Sequence, residues 1–173
     1  MFDMNMMAKI KERVVYKNID SPVGTITLIA SDKALKALLW KTQRKLCEKA
    51  FESLELVSEH PIINKTERQL EEYFCGKRIK FDIPLSADGT EFQKQAWEIL
   101  KNIPYGEVIT YGEQAKKMGD IKKARAVGLA NSMNPISIIV PCHRVIGKNG
   151  KLTGFAGGLD IKSFLLDLEK NIG

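Results

Sequence analysis

Cys142 stands between Pro141 and His143, with Arg144 one residue further on. A thiolate is a strong nucleophile, and a base or cation beside a thiol helps to draw off its proton. Neighbouring side chains on an extended chain point to opposite faces, so His143 reaches Cys142 only through a turn or a bridging water. Two readings are open at this point. In one the pair is a nucleophile with its base; in the other Cys142 fills a small apolar hole and His143 lies on the surface. Two residues do not decide between them.

A second group with chemical potential lies upstream. Lys116, Lys117, Lys122, Lys123 and Arg125 crowd around Gly119-Asp120, and such cations can neutralise phosphates. Ala124, Ala126, Gly128 and Ala130 follow at every second position, the first two flanking Arg125. Small residues let a helix approach a nucleic-acid groove, and equally let it pack against another helix. A solvated basic face over a tight internal contact is the competing reading.

The elements that must position these residues can be read from periodicity. Residues 14–17, 24–30 and 34–40 alternate or run apolar, with turn signals at Ser21-Pro22 and Ser31-Asp32, and predict strands. Helices are expected near 43–56 and 65–74, the second ending at Gly76. Residues 81–85 read as extended, and the polar run 86–89 reads as a boundary. Beyond it a helix is expected from about 90 to 101, with Phe92, Ala96, Trp97, Ile99 and Leu100 on its apolar side and Pro104 after it. An extended stretch at 108–111 then leads into two short helices near 113–118 and 122–133, a helix-turn-helix pattern. Asn134-Pro135 ends it. Residues 136–140 read as a buried strand running into Cys142, and a Gly-rich loop at 147–158 precedes a last helix near 161–170. The expected class is α+β: residues 1–86 form a small N-terminal α/β domain with an antiparallel sheet, and residues 87–173 form a mainly helical C-terminal domain.

Composition bounds the function classes. The net charge of +6 permits a polyanionic partner without showing one. Three scattered cysteines and two histidines make neither a disulfide framework nor a metal site, so no metal or cofactor is expected and a reducing compartment is. No apolar run is long enough to span a bilayer. Residues 1–7 lack a basic segment followed by an apolar one, so no signal peptide is expected and a cytoplasmic location is. Nothing suggests a dimer seam, and a monomer is expected.

Taken together, the segments are more specific than any one of them. The run from Asn134 to Ile146, with Pro141-Cys142-His143-Arg144-Val145 at its centre, closely resembles the active-site signature of the O6-alkylguanine-DNA alkyltransferases. So do Ile103-Pro104-Tyr105-Gly106-Glu107 through Gly112, Arg125-Ala126-Val127-Gly128, and Thr153-Gly154-Phe155-Ala156-Gly157-Gly158. The resemblance is dense from Phe92 to Glu169 and weaker before that.

The resemblance implies direct repair of double-stranded DNA. Cys142 accepts the alkyl group from O6 of guanine, and less well from O4 of thymine, once per molecule. His143 acts as its base through a bridging water, Glu169 orients the imidazole, and Asn134 makes the turn that leads to the active-site segment. The damaged nucleotide must leave the stack to be reached. The second helix, with Lys123, Ala124, Ala126 and Gly128, then enters the minor groove, and Arg125 fills the gap. Tyr111 crowds the 3′ phosphate and can supply a proton. Val140 and Cys142 offer carbonyls to the guanine amine, and Val140, Pro141, Phe155 and Ala156 line the pocket.

Phe155 departs from the tyrosine of many relatives and offers no hydroxyl to the substrate oxygen. The zinc ligands of some relatives are missing upstream. Lys162 is read as a solvated lysine. Three rivals predict different things. A non-enzymatic sensor of alkylated DNA lacks the acceptor cysteine, a helix-turn-helix regulator binds a specific sequence, and a thiol hydrolase turns over many acyl groups.

Overall fold

The computed structural model describes residues 12–172, and the expectation about a leader, drawn on residues 1–7, lies outside them. The chain divides into two compact units, with the division between Asp88 and Gly89.

In the first unit, β1 (Val14–Ile19), β2 (Ile26–Ser31) and β3 (Leu35–Trp40) form the expected antiparallel meander. β2 is buried along its whole length, as its near-continuous apolar run requires of a central strand. The expected helix at 43–56 is a misreading. It is replaced by α1 (Lys41–Leu46), α2 (Glu48–Phe51) and a short strand β4 (Glu55–Leu56). β4 pairs parallel to β1, so the sheet is mixed, in the order β3-β2-β1-β4. Gln43, Cys47 and Phe51 are buried at helical spacing, with Cys47 and Phe51 against Val14, Ile29, Ala37 and Leu39. The helical run ends before Glu55 and Leu56, whose backbone pairs with β1 instead. Helix α3 (Pro61–Phe74) starts with proline in its first turn and buries Ile63, Thr66, Leu70 and Tyr73 at helical spacing.

The second unit holds the helix-turn-helix. Helix α4 (Glu91–Lys101) begins with a reciprocal cap between Thr90 and Gln93. Helix α5 (Tyr111–Lys117) begins with the same device in Thr110 and Glu113. A 3₁₀ turn, Ile121–Lys123, leads into α6 (Ala124–Ser132), and α7 (Leu159–Ile172) closes the chain. Between α4 and α5, β5 (Ile109–Thr110) pairs parallel to β6 (Val145–Ile146). That ladder places the start of α5, and hence Tyr111, beside the chain leaving Cys142.

Residues 136–140 are not a strand. They form a compact buried turn in which the Val140 N–H donates to Ile136 O and the Ile139 N–H to Ser137 O. Ile138 is held at φ 72°. A β-branched residue there is strained by roughly 1–3 kcal/mol, which persists only because the surroundings dictate it. A short apolar run cannot distinguish a buried strand from a buried turn.

Candidate functional site

Asn134 organises the turn that carries Cys142. Its Oδ1 accepts from the Ile136 N–H at 3.0 Å and its Nδ2 donates to Val140 O at 2.8 Å. The side chain therefore supplies hydrogen bonds that a strand would have taken from a neighbour. Cys142 opens a 3₁₀ turn, Cys142–Arg144, so a turn in the chain relates the thiol to His143. The Cys142 Sγ lies 3.9 Å from the Ser137 hydroxyl, and only 7% of the residue is exposed.

His143, Arg144 and Glu169 form a buried cluster. His143 Nε2 is 2.7 Å from Glu169 Oε1, Arg144 donates from Nε to Oε2 at 2.8 Å and from Nη2 to Oε1 at 2.9 Å. The Gly106 N–H adds a fourth donor at 3.0 Å, and Arg144 Nη1 donates to Ile103 O at 2.6 Å. Gly106 sits at φ 79°, and a Cβ there would lie 3.3 Å from the Glu169 carbonyl oxygen. The Ile103-to-Gly106 segment thus has a structural purpose: it grips the far side of the Glu169–Arg144 pair.

Charge follows from this geometry. Burial opposes ionisation of Glu169, but hydrogen bonds from His143 and Arg144 outweigh it and hold the carboxyl far below its usual range. An ionised carboxylate only accepts, so His143 Nε2 is the donor to it. Burial lowers the His143 pKa, the carboxylate opposes this, and Arg144 and Lys162 add to the lowering. The imidazole is neutral at pH 7, with its lone pair on Nδ1, an atom buried without a hydrogen-bond partner among the described residues. Burial pushes the Cys142 thiol up, against hydrogen bonds from Asn134 and Ser137 and the charge of Lys162. The resting pair is therefore thiol and neutral imidazole.

His143 carries a stability prediction. The unfolded chain protonates it near pH 6.5, and the native state only at lower pH. Over that interval the unfolded state binds more protons, so stability falls as pH falls from about 6.5. Glu169 adds a further loss below its unfolded value of about 4.3, completed as pH falls through its depressed native value. Urea denaturation across pH should show the first decline in the native chain and its disappearance in His143→Gln.

Lys162 corrects the sequence reading. It is fully buried, and its Nζ donates to Val145 O at 2.6 Å and to Thr153 O at 3.0 Å. The same ammonium lies 5.7 Å from the centre of the Tyr111 ring. The signal was present: Lys162, Leu165, Leu166 and Glu169 are the buried positions of α7 at helical spacing. Tyr111 donates its hydroxyl to Thr153 O at 3.1 Å, and burial raises its pKa, so the phenol keeps its proton.

The remaining candidates divide by exposure. Val140 and Pro141 are buried with Cys142, while Phe155 and Ala156 are half-buried in the loop before α7. Lys123, Arg125 and Ala126 are exposed on α6 and its approach, and Ala124 and Gly128 are half-buried. Gly128 faces inward as well as outward, since a Cβ there would touch the Tyr111 ring at 3.7 Å. No local pattern marks Leu129, which is 65% exposed one turn beyond Arg125. Nor does one mark the buried pair that locks the two helices. Asn131 Nδ2 donates to Gln114 Oε1 at 2.7 Å, and Gln114 Nε2 donates to Asn131 Oδ1 at 3.0 Å. Trp97 Nε1 donates to Ala130 O at 2.8 Å and ties α6 to α4.

Among the described residues no group of three or more His, Cys, Asp or Glu is placed to hold a metal ion. No described helix is long and apolar enough to cross a membrane.

Residues 91–171 match the DNA-binding domain of 6-O-methylguanine DNA methyltransferase, and residues 14–87 match its ribonuclease-like domain. The chain is 52% identical over 154 residues to the methylated-DNA–protein-cysteine methyltransferase of Methanosarcina acetivorans, covering 89% of this chain and 97% of the relative. It is 44% identical over 158 residues to the protein of that name from Mycobacterium tuberculosis, covering 90% and 92%. Among solved structures it resembles Mycobacterium tuberculosis OGT in complex with DNA, with a TM-score of 0.80, 44% identity and coverage of 91% and 94%. It also resembles a structure of the Mycobacterium tuberculosis O6-methylguanine methyltransferase, with a TM-score of 0.80, 42% identity and coverage of 92% and 94%.

Proposed function

This chain belongs to the 6-O-methylguanine DNA methyltransferase family, and we propose that Cys142 takes the alkyl group from O6 of guanine in a duplex, once per molecule. DNA repair by alkyl transfer to a cysteine is its activity, and DNA its partner. The single observation that carries the residue assignment is the buried Cys142–His143–Glu169 arrangement, with the acceptor nitrogen of a neutral imidazole left over.

In the proposed step Cys142 sulfur attacks the alkyl carbon and the carbon–O6 bond breaks, with its electron pair passing to guanine. The thiol proton moves through a water to His143 Nδ1, and the leaving guanine takes a proton from the Tyr111 hydroxyl. Lys162 faces both groups and favours negative charge on either. Val140 O already accepts from Asn134 Nδ2 and the Cys142 N–H. Cys142 O, which accepts only the Val145 N–H among the described donors, is thus the better partner for the guanine amine.

The cationic surface of α6 serves the duplex. Among the described residues no ion pair engages Lys116, Lys117, Lys122, Lys123 or Arg125, so their charge is available to phosphates. Small residues at Ala124, Ala126 and Gly128 let the helix lie in the minor groove, and Arg125 fills the space left by a flipped nucleotide. O4-methylthymine enters the same site less well. The protein acts as a monomer, in the cytoplasm.

The test is a titration of duplex bearing one O6-methylguanine with the native chain and Arg125→Ala. Guanine should be restored up to one equivalent of protein and no further. Arg125→Ala should react with the duplex at least tenfold more slowly, and with a free O6-alkylguanine base at the native rate. Turnover beyond one equivalent, or equal slowing on both substrates, would refute this reading.

Alkylation adds bulk where Cys142 is already enclosed, at a cost of roughly 1–3 kcal/mol. The alkylated protein should therefore melt several degrees below the free form. Thermal denaturation after reaction with the free base checks this; an equal or higher Tm counts against it.

A further inference from the structure

Glu169 is unusual for a carboxylate that orients a histidine, because a second strong partner saturates it. Its two oxygens receive four N–H groups, from His143, Arg144 twice and Gly106. Arg144 follows His143 directly in the 3₁₀ turn, and its guanidinium and the imidazole meet the same Oε1, at 2.9 and 2.7 Å. A buried carboxylate at that distance raises the proton affinity of the imidazole, against the effect of burial, and so depletes the neutral base as pH falls. A fork-shaped guanidinium on the same carboxylate cancels that pull while keeping the orienting hydrogen bond.

We propose that Arg144 is a positioning residue that acts through Glu169, holding the carboxylate in place and offsetting its charge so that His143 remains a neutral base. The inference rests on the reading of His143 as the base for Cys142. The charged and titratable groups around the imidazole fit it. Glu169 and Lys162 come from α7, Arg144 and Cys142 from the 3₁₀ turn, and Tyr105 from the loop after α4, its ring 5.7 Å from the guanidinium. Glu169 is the anion of that set at neutral pH, and Arg144 is its direct counterion. Lys162 acts in the same sense as Arg144, from a separate anchorage on Val145 O and Thr153 O.

The experiment reads the His143 titration midpoint by NMR in the full chain, together with single-turnover rates against pH. Arg144→Met should raise the midpoint by at least one pH unit and slow transfer about tenfold on the acid limb, with the deficit closing at higher pH. Arg144→Lys, which keeps the charge, should leave the midpoint near the native value. Glu169→Gln should lower it, and in that background Arg144→Met should move the midpoint by less than half of what it does alone. Where Arg144→Met fails to fold, Arg144→Gln, which keeps an N–H for the carboxylate but no charge, carries the test with the same expected rise. An unmoved midpoint in the folded neutral variant, or an equal shift by Arg144→Met with and without the carboxylate, overturns the proposal. A midpoint that moves without the rate following it upholds the role of Arg144 and removes His143 as the base.

Discussion

Cys142→Ala should abolish alkyl transfer, lowering the rate by more than about ten-thousandfold, while the variant still folds and binds damaged duplex. Sulfur is the atom that bonds to the transferred carbon in the proposed step, so no neighbouring group compensates for its loss. The change is small in structural terms, since it removes one sulfur from a buried residue whose polar neighbours are the Ser137 hydroxyl at 3.9 Å and the Asn134 side chain. Asn134 loses its contact with the sulfur but keeps the bonds to the Ile136 N–H and Val140 O that hold the turn. The other thiols do not substitute: Cys47 is buried in the sheet cluster of the first unit, and Cys75 follows α3 there. Single-turnover assays and equilibrium binding on the same duplex separate the two quantities. Residual transfer in Cys142→Ala would show that the acceptor has been misassigned.

The second large effect is expected at His143. Removing a general base typically costs a hundredfold to ten-thousandfold in rate, so His143→Ala should fall in that range. Its thiol must then lose its proton to solvent, and the remaining activity should climb steadily with pH, without the plateau that a neutral imidazole gives. Stability should change less than rate, because Glu169 keeps Arg144 and Gly106. Glu169→Gln sets the contrast. A glutamine amide presents N–H groups where three residues donate, and it leaves the buried guanidinium without its counterion. Breaking such a pair typically costs about 3–5 kcal/mol. Urea denaturation beside single-turnover kinetics should therefore show His143→Ala as mainly a rate defect and Glu169→Gln as a defect in both.

Much of the second unit could be read from its residues. The caps Thr90–Gln93 and Thr110–Glu113 mark helix starts, and Gly119-Asp120 marks the turn between the paired helices. The misreadings share a cause: tertiary context overrode local pattern. Residues 136–140 are apolar enough for a strand, but Asn134 satisfies their backbone from within and folds them into a turn. Glu55 and Leu56 looked helical because no local signal reveals the free edge of β1 with which they pair. Lys162 looked like any surface lysine, although it shares a helical face with Glu169; two carbonyl oxygens supplied by the chain before α7 make its burial tolerable. Arg144 stood beside His143 in plain view, yet its bidentate grip on Glu169 depends on a separation of 25 residues that periodicity cannot bridge. Cys142 and His143 were conspicuous by chemistry, but their relation depended on a turn that residue type alone left open.

The most direct test is the mass of the intact protein after mixing with excess duplex carrying O6-methylguanine, followed by peptide mapping. The assignment of Cys142 predicts a single added methyl group per molecule, located on Cys142, with an equal amount of guanine restored in the DNA. An unchanged mass, or a methyl group on any other residue, would contradict it.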